Sequence, residues 1–489
     1  MRLGKVRLKK PEIELYNTRG LSAQAKHALN MVIVAVMFGN VFTVVTTSAA
    51  WSGYQRALGA NSMQMGVISA IPVAASTVQI FASYLLESRQ NRRTLLLVFG
   101  LVHRLCWVLI GLVPVLLAGG GASTQLYAVM AVLAIASCGN SFLNVSYYSL
   151  VGDLVPMQIR GGYFAVRQCV AIVTGVVAAL LVGIVLDRTQ GIGGYVAVLL
   201  AAGISGALDI CCYFFIQWPP MQRRQRSGDT FGAMLREVLA NRPYMRIVGI
   251  FTLWFFAVNL IAPFFNVFLL EEIRMSYTEI AIYNQIVPNV ATLFVVGWWG
   301  RQMDRYGSQP VAQTVGLYCM LLPLTYLFLG PRSFWLLPLA NLFNGMTMPV
   351  CDLAQQNIYL AKAPARNRTM YVAVFFTSTQ LLGTALSNFA GGMLMQGPFQ
   401  TLEQMQFAFC GCAVNRYDYL FLLSALLRCG CVLGLFPLLR AQWETPARQM
   451  CRAFAQQARQ SARYRCLAWR AARLRRRYRW QNSQKNRKA

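Results

Sequence analysis

The sequence predicts an all-α membrane protein with twelve transmembrane helices in two six-helix halves. Three observations predict this class. Apolar runs of about 20 residues, each long enough to cross a bilayer, recur along the chain. Only 12% of the 489 residues are charged, whereas soluble domains carry about 25%. Basic residues also fall in alternate loops, as they do in proteins that cross a membrane many times.

The apolar runs are taken in order as helices, because in lipid every backbone amide and carbonyl must be paired within its own segment. We predict spans at 28–50, 64–86, 94–117, 125–151, 163–186, 192–216, 245–270, 279–300, 310–330, 333–360, 371–396 and 417–440.

A polar stretch divides the spans into two groups of six. The predicted organisation is a segment 1–27, a first bundle 28–216, a central loop 217–244, a second bundle 245–440 and a basic tail 441–489. The halves also echo each other. Arg160 and Tyr163 join the fourth and fifth spans, and Arg368 and Tyr371 join the tenth and eleventh. Internal duplication of this kind is typical of transporters.

Charge placement predicts that both termini are cytoplasmic and that the chain is an integral protein of the plasma membrane. Lys and Arg total 45 against 16 acidic residues, which gives a net charge of +29. The bases concentrate at both ends, in the central loop and in every second short loop, which the positive-inside rule assigns to the cytoplasm. Membrane topology explains this charge, and no nucleic-acid partner is expected.

The loop after the eighth predicted span resembles the G-x-x-x-D-R-x-G signature of the major facilitator superfamily. It contains Gly300, Asp304, Arg305 and Gly307. The corresponding loop of the first half is degenerate and retains Glu87, Arg92 and Arg93. A small residue lets two helices approach closely, and a carboxylate at a helix end can pair with an arginine of the other bundle. We therefore predict that these two loops form a conformational latch; an ordinary polar turn is the alternative.

The resemblance implies two pseudo-symmetric six-helix bundles around a central cavity that opens to either side in turn. It also implies that the first, fourth, seventh and tenth helices line the cavity. Polar residues follow one face of each of these spans at helical spacing. The predicted cavity residues are Asn40, Thr43, Thr47, Asn140, Asn144, Tyr148, Asn259, Asn266, Asn341, Asn344 and Gln355. Neighbouring spans add Gln79, Gln285, Asn289, Gln380 and Asn388. For each asparagine, packing between helices remains an open alternative.

Ionisable residues inside spans are functional candidates because burying them in a membrane is costly. Asp352 shares the polar face of the tenth span, so we predict that it couples transport to a proton or another cation. His103 lies on a peripheral span. Arg104, Asp209 and Arg428 are expected to be paired structurally, with partners that the sequence does not identify.

The basic tail is predicted either to lie on anionic inner-leaflet lipid as an amphipathic segment or to be a disordered topology signal. No cofactor or metal site is expected: the chain has two histidines and no HExxH or phosphate-binding loop. The predicted function is therefore not an enzyme but a secondary transporter of a small polar or amphiphilic organic solute. A non-transporting membrane sensor or scaffold, and a lipid translocase, remain alternatives.

Overall fold

The structure is a computed structural model. It describes residues 22–89, 91–156, 159–189, 191–219, 231–330, 333–364, 368–406, 408–409, 412–439, 449–450 and 456. The predicted segment 1–27 is described only from residue 22. Nearly all of the predicted tail 441–489 lies outside the described residues, so its lipid interaction stays a prediction.

The first half contains six helical spans. The first is Ala23–Thr47, continued by a short helix Ala49–Ala57, and the second is Ser62–Ala75 followed by Val78–Arg89. The remaining four are Arg92–Leu116, Ala122–Leu154, Arg160–Arg188 and Ile192–Cys212, the last ending in a 3-10 turn Tyr213–Phe215. A helix Phe231–Ala240 then lies within the predicted central loop.

The second half repeats this order with more interruptions. The seventh span is Arg242–Asn259 and Ala262–Glu271; the eighth is Tyr277–Ala281, Ile282–Ile286 and Val287–Tyr306. The ninth and tenth are Ser308–Tyr326 and Leu336–Lys362. The eleventh is Arg368–Ser378, Thr379–Ala385 and Leu386–Gln396; the twelfth is Arg416–Cys429, Gly430–Leu435 and Phe436–Leu439.

The all-α membrane class predicted from the sequence is confirmed. Within the described residues, nine spans are long and apolar enough to cross a membrane, and the bent eighth span makes a tenth. Helices Ser308–Tyr326 and Leu336–Lys362 lie where the ninth and tenth spans are predicted but are not apolar enough to be counted with these ten, so the arrangement is consistent with the predicted twelve. The sequence did not predict the helix Pro398–Gln404 or the two-residue strands Ala408–Phe409 and Cys412–Ala413, which form a small antiparallel hairpin before the twelfth span.

Local signals explain where several spans begin. Each of three spans starts with a capping box. The side chain of the first residue accepts a hydrogen bond from the backbone amide three positions later, and the side chain at that later position accepts one from the backbone amide of the first residue. The pairs are Asn61–Gln64 on the second span, Ser276–Glu279 on the eighth and Asn415–Asp418 on the twelfth. All three spans begin at the same end of the molecule.

The second half contains three π-helical segments within its described residues, Ile282–Ile286, Thr379–Ala385 and Gly430–Leu435. The helix of its seventh span also breaks before Pro263. Such irregularities expose backbone carbonyls and recur at functional sites.

The two ends of the molecule differ in how the halves meet. We call the end that carries the helix Phe231–Ala240 the linker end, and the opposite end the far end. At the far end, one hydrophobic cluster joins both halves; it includes Tyr54 and Met65 of the first and Phe264 and Phe268 of the second. At the linker end, each half has its own separate cluster within the described residues. The far end is therefore closed by packing between the halves.

Candidate functional site

An ion pair joins the halves at the far end. The Arg56 guanidinium donates two hydrogen bonds to the Glu271 carboxylate, with Nη2 2.6 Å from Oε2. The Tyr417 hydroxyl also donates to Glu271, at 3.4 Å. The hydrogen bond to Glu271 raises the pKa of Arg56 above its usual value. Both side chains of the pair are about a third exposed, at 29% and 35%, so the pair adds modest stability and mainly fixes geometry.

A second connection caps the eighth span across the interface. The Asp187 carboxylate at the end of the fifth span accepts hydrogen bonds from the backbone amides of Tyr277 and Thr278, at 2.8 and 3.0 Å. Gly183, one turn earlier, allows this approach, because a Cβ there would lie 2.8 Å from the Thr278 Cα. A carboxylate at a helix N-terminus also meets the positive end of the helix dipole.

A close backbone approach between the halves brings the second and eleventh spans together. A Cβ on Gly66 would lie 2.5 Å from the Asn388 carbonyl oxygen, and one on Gly392 would lie 2.9 Å from the Ser62 carbonyl oxygen. The Asn388 side chain donates to the Ser69 carbonyl at 3.2 Å. Small residues and one amide therefore make this helix contact, as membrane helices commonly do. Asn388, predicted as a secondary cavity candidate, serves packing here.

A polar cavity lies beneath this closure, between the halves. Its walls come from the first, fifth, seventh and eighth spans and include Thr47, Val182, Asn266, Asn284 and Gln285. It encloses about 140 Å³, and we call it the central cavity. Because both halves supply its walls, a solute bound here would contact both.

A second cavity, the side pocket, extends into the second half and shares Asn266 and Asn284 with the central cavity. Three asparagines form a hydrogen-bonded chain at this junction. Asn341 donates to the Asn284 Oδ1 at 2.6 Å, and Asn284 donates to the Asn266 Oδ1 at 3.2 Å. Asn341 also reaches the Tyr283 carbonyl, at 3.0 Å. The chain orients polar groups toward both cavities.

Sequence reasoning missed Asn284, the central member of this chain. The eighth span is outside the four helices that the resemblance assigns to the cavity, and of its polar residues the sequence prediction includes only Gln285 and Asn289. What identifies Asn284 is its alignment with polar residues of adjacent spans. That alignment becomes visible only once the packing of the helices is known.

Four of the predicted cavity residues border the two cavities: Thr47, Asn266, Asn341 and Asn344. Two others are used for helix packing, the alternative left open from the sequence. The Asn40 amide donates to the Ala171 carbonyl on the fifth span. The Asn259 amide donates to the carbonyl of Phe255 and to the Thr384 hydroxyl, at 2.9 and 3.3 Å.

The fourth span contributes to neither of these two cavities. Asn140 and Asn144 are half-buried and Tyr148 is 71% exposed. Thr43 is exposed, and its hydroxyl bonds the Gly39 carbonyl of its own helix. Their cavity roles stay predictions.

On the tenth span, the residues of the predicted polar face that follow Met348 do not share one environment. Asp352 is exposed, whereas Gln355 is buried, with its Oε1 accepting no hydrogen bond from a described residue. Neither residue borders the central cavity or the side pocket. The coupling role of Asp352 stays a prediction.

Two of the charged residues inside the spans of the first half form a buried ion pair with each other. Arg104 of the third span donates to Asp209 of the sixth, with Nη2 2.7 Å from Oδ2, and both are 7% exposed. The guanidinium also lies 3.8 Å from the Phe42 ring centroid. The His103 Nδ1 lies 2.8 Å from the Ala136 carbonyl oxygen. These contacts give Arg104, Asp209 and His103 structural partners, as expected for the first two.

Comparison with known proteins identifies the family. A sequence profile described as "Major Facilitator Superfamily" matches residues 25–388. The chain belongs to the major facilitator superfamily. A comparison with curated protein sequences gives no match.

Solved structures with this fold include other superfamily transporters. The chain superposes on the nucleoside transporter NupG with a TM-score of 0.64 and 12% identity, over 86% of this chain and 100% of that one. It superposes on a bacterial homologue of the iron transporter ferroportin in an inward-facing state with a TM-score of 0.61 and 14% identity, over 86% of this chain and 100% of that one. On a D-xylose–proton symporter it superposes with a TM-score of 0.60 and 13% identity, over 87% of this chain and 99% of that one. At these identities the likeness defines the fold alone.

The superfamily signature loop of the second half lies at the linker end. Gly307 ends the eighth span and precedes the ninth with φ of 98°, a conformation that favours glycine, which explains this residue of the signature. Asp304 and Arg305 are exposed. A Cβ on Gly300 would meet no described atom within 4 Å. Gly300 therefore makes no close helix contact with the described residues.

In the first half, Arg92 is buried and bonds the fourth span and the start of the predicted central loop. It donates to the Asp153 carboxylate of the fourth span at 2.5 Å and to the Pro219 carbonyl. Arg93 is exposed, and the side chain of Glu87 lies outside the described residues. The latch stays a prediction, and in this superfamily member its exposed residues lie at the end opposite the closed one.

Proposed function

We propose that this chain is a secondary active carrier that moves a small polar or amphiphilic organic solute by alternating access. The observation that carries the proposal is the position of the central cavity. It lies directly beneath the packed far end, between two halves whose linker-end clusters are separate. A cavity bordered by both halves can change its access when the halves rock against each other.

We further propose that the linker end faces the cytoplasm of the plasma membrane, with both termini on that side. The charge distribution supports this orientation. The molecule would then be in an inward-facing state. The exposure of Asp304 and Arg305 agrees with a latch that is released in that state and forms in the other.

The cavity walls support the proposed solute class. Amide and hydroxyl groups of Thr47, Asn266, Asn284 and Gln285 stand beside the apolar residues Val182 and Ile280. Sites of this composition orient a ligand through a few polar groups while apolar walls provide most of the contact area. An amphiphilic organic molecule fits this pattern better than a bare ion.

The test combines ligand screening with transport. Purified protein is screened by thermal shift against polar metabolites, because a ligand selective for the folded state raises apparent stability. Each hit is then assayed for uptake into proteoliposomes. We expect at least one solute that both stabilises the protein and is taken up faster than by protein-free vesicles.

Paired asparagine variants locate the site. Asn284→Ala removes the centre of the asparagine chain, so it should abolish the ligand-induced shift. Asn259→Ala is the matched control, because that amide bonds Phe255 and Thr384 instead of bordering a cavity. Equal losses in both variants would contradict the proposed site. Binding without uptake of any hit would favour a sensor, and flipping of labelled lipid by the same protein would favour a translocase.

Coupling to a proton or cation is proposed for Asp352. Asp352→Asn should abolish uphill uptake against a gradient while leaving solute exchange across the membrane. Unchanged uphill uptake in this variant would remove Asp352 from the mechanism.

A further inference from the structure

Arg428 of the twelfth span is a buried cation with no carboxylate partner among the described residues. It is 2% exposed. Its Nη1 donates to the Cys319 carbonyl at 3.0 Å and its Nη2 to the Val258 carbonyl at 3.3 Å, while Nε has no hydrogen-bond partner. The corresponding spans of the first half hold the Arg104–Asp209 pair. The second half therefore contains a buried arginine whose charge is not neutralised.

The two carbonyls use only part of the hydrogen-bonding capacity of the Arg428 guanidinium. Cys319 lies four residues before Pro323, which has no N–H, so the Cys319 carbonyl lacks its usual helical donor. Val258 is in the last turn of the helix that ends at Asn259, where carbonyls also lack helical donors. Arginine presents five N–H donors in total. Two backbone carbonyls occupy two of them and supply no negative charge.

Arg428 is one of the residues that line the side pocket. This open pocket has a volume of about 270 Å³ and is lined by residues of five spans of the second half. Asn344, whose Oδ1 has no hydrogen-bond partner, also borders it. The remaining walls are largely apolar or aromatic: Ile261, Ala262, Phe265, Leu322, Tyr326 and Met348. Asn266 and Asn284 connect this pocket with the central cavity.

A guanidinium stays charged at every physiological pH, and a buried charge without a counter-charge is strongly unfavourable. A carboxylate matches the planar donor fork of arginine and accepts two hydrogen bonds from it. The apolar walls would contact the rest of such a molecule.

We propose that the side pocket binds the carboxylate of an amphiphilic organic anion through Arg428, with its polar atoms on Asn266 and Asn284. This inference rests on the proposed carrier function and specifies the charge of its solute.

The binding test uses purified protein in a neutral detergent at constant ionic strength. Chloride is replaced in turn by acetate, pyruvate, benzoate or inorganic phosphate, and the thermal unfolding midpoint is measured. Benzamide serves as the uncharged counterpart of benzoate. We expect at least one carboxylate to raise the midpoint in a saturable way, and benzoate to act more strongly than benzamide. No shift with any carboxylate would overturn the proposal.

Variants separate anion binding from a purely structural role of Arg428. Arg428→Gln keeps an N–H donor for a backbone carbonyl but removes the charge, so the apparent dissociation constant of the anion should rise by about thirtyfold or more. Because this variant could fail to fold, Met348→Trp is a second one: it fills the side pocket and leaves Arg428 with both carbonyls. It should also abolish the anion-induced shift. Shifts that persist in both folded variants would overturn the assignment.

The outcomes distinguish this inference from the proposed function. If the screen finds only neutral solutes that are transported, and Arg428→Gln transports them normally, the carrier function stands and the anion site fails. If carboxylates bind through Arg428 but no solute is transported, the carrier function fails. Stabilisation by vesicles of phosphatidylglycerol, without any by the soluble carboxylates, would assign the charge to a lipid and overturn the solute assignment.

Discussion

The contact between Gly66 and Gly392 provides the sharpest test of how the far end closes. In Gly66→Ala, the new methyl group would lie 2.5 Å from the Asn388 carbonyl oxygen and 3.1 Å from the Gly392 Cα. An ordinary carbon–oxygen contact is about 3.3 Å, so the helices would have to separate by roughly 0.8 Å. Both opposing atoms belong to the backbone, and neither can rotate away.

The expected magnitude follows from overpacking. Forcing a methyl group into a tight contact costs about 1–3 kcal/mol. In the proposed alternating-access cycle the eleventh span meets the second span only while the far end is closed, so this cost falls on the closed state. The ratio of closed to open molecules should therefore drop by about 5- to 150-fold. In Gly249→Ala the methyl group meets no described atom within 4 Å, which makes it the matched control.

The assay measures the far-end separation of the halves. Spin labels on Ser123 and Gln400, both exposed residues near the far end, report a distance distribution by pulsed electron paramagnetic resonance. We expect Gly66→Ala to increase the longer-distance population, and Gly249→Ala to match the parent protein. If the two alanine variants give the same distribution, this glycine contact does not control closure.

Three further predictions concern the ionic contacts. Breaking the Arg56 pair with Glu271→Gln should open the far end less than Gly66→Ala does, because a partly exposed pair contributes at most about 1 kcal/mol; added salt should reduce the difference from the parent in the same spin-label assay. Asp187→Ala removes the two hydrogen bonds that the first half accepts from the start of the eighth span, leaves the Ser276–Glu279 capping box in place, and should cost the closed state about 0.5–2 kcal/mol, measured as the same population change. Asp209→Asn leaves Arg104 buried without its counter-charge and should destabilise the fold by about 3–5 kcal/mol, seen as a lower thermal unfolding midpoint without a change in the far-end distance.

The sequence was sufficient to predict the membrane-spanning helices and their grouping into halves. Lipid leaves a spanning segment no partner outside itself for backbone hydrogen bonds, so a long apolar run specifies a helix almost by itself. The interruptions were not predictable in this way. The π-helical segments Ile282–Ile286, Thr379–Ala385 and Gly430–Leu435 depend on contacts from neighbouring spans that hydropathy does not contain.

The candidate site was predictable only in part, because helical spacing gives the face of a residue but not the neighbour it meets. Asn40 and Asn266 both lie on predicted cavity faces, yet one bonds the fifth span and the other borders both cavities. Asn284 was missed for the same reason. Its role depends on the eighth span approaching the seventh and tenth, which no single segment of sequence encodes.

The position of the two cavities suggests how binding and motion are connected. The central cavity is bordered by Thr47 of the first half and Asn266 of the second, so its ligand contacts depend on the separation of the halves. The side pocket lies wholly in the second half, so a group bound at Arg428 would move with that half. A ligand shifts a conformational equilibrium only by its difference in affinity between the two states. A solute anchored at Arg428 would therefore change the balance of states only through its contacts with the first half, and shortening its far portion should weaken that change while leaving binding at the anchor.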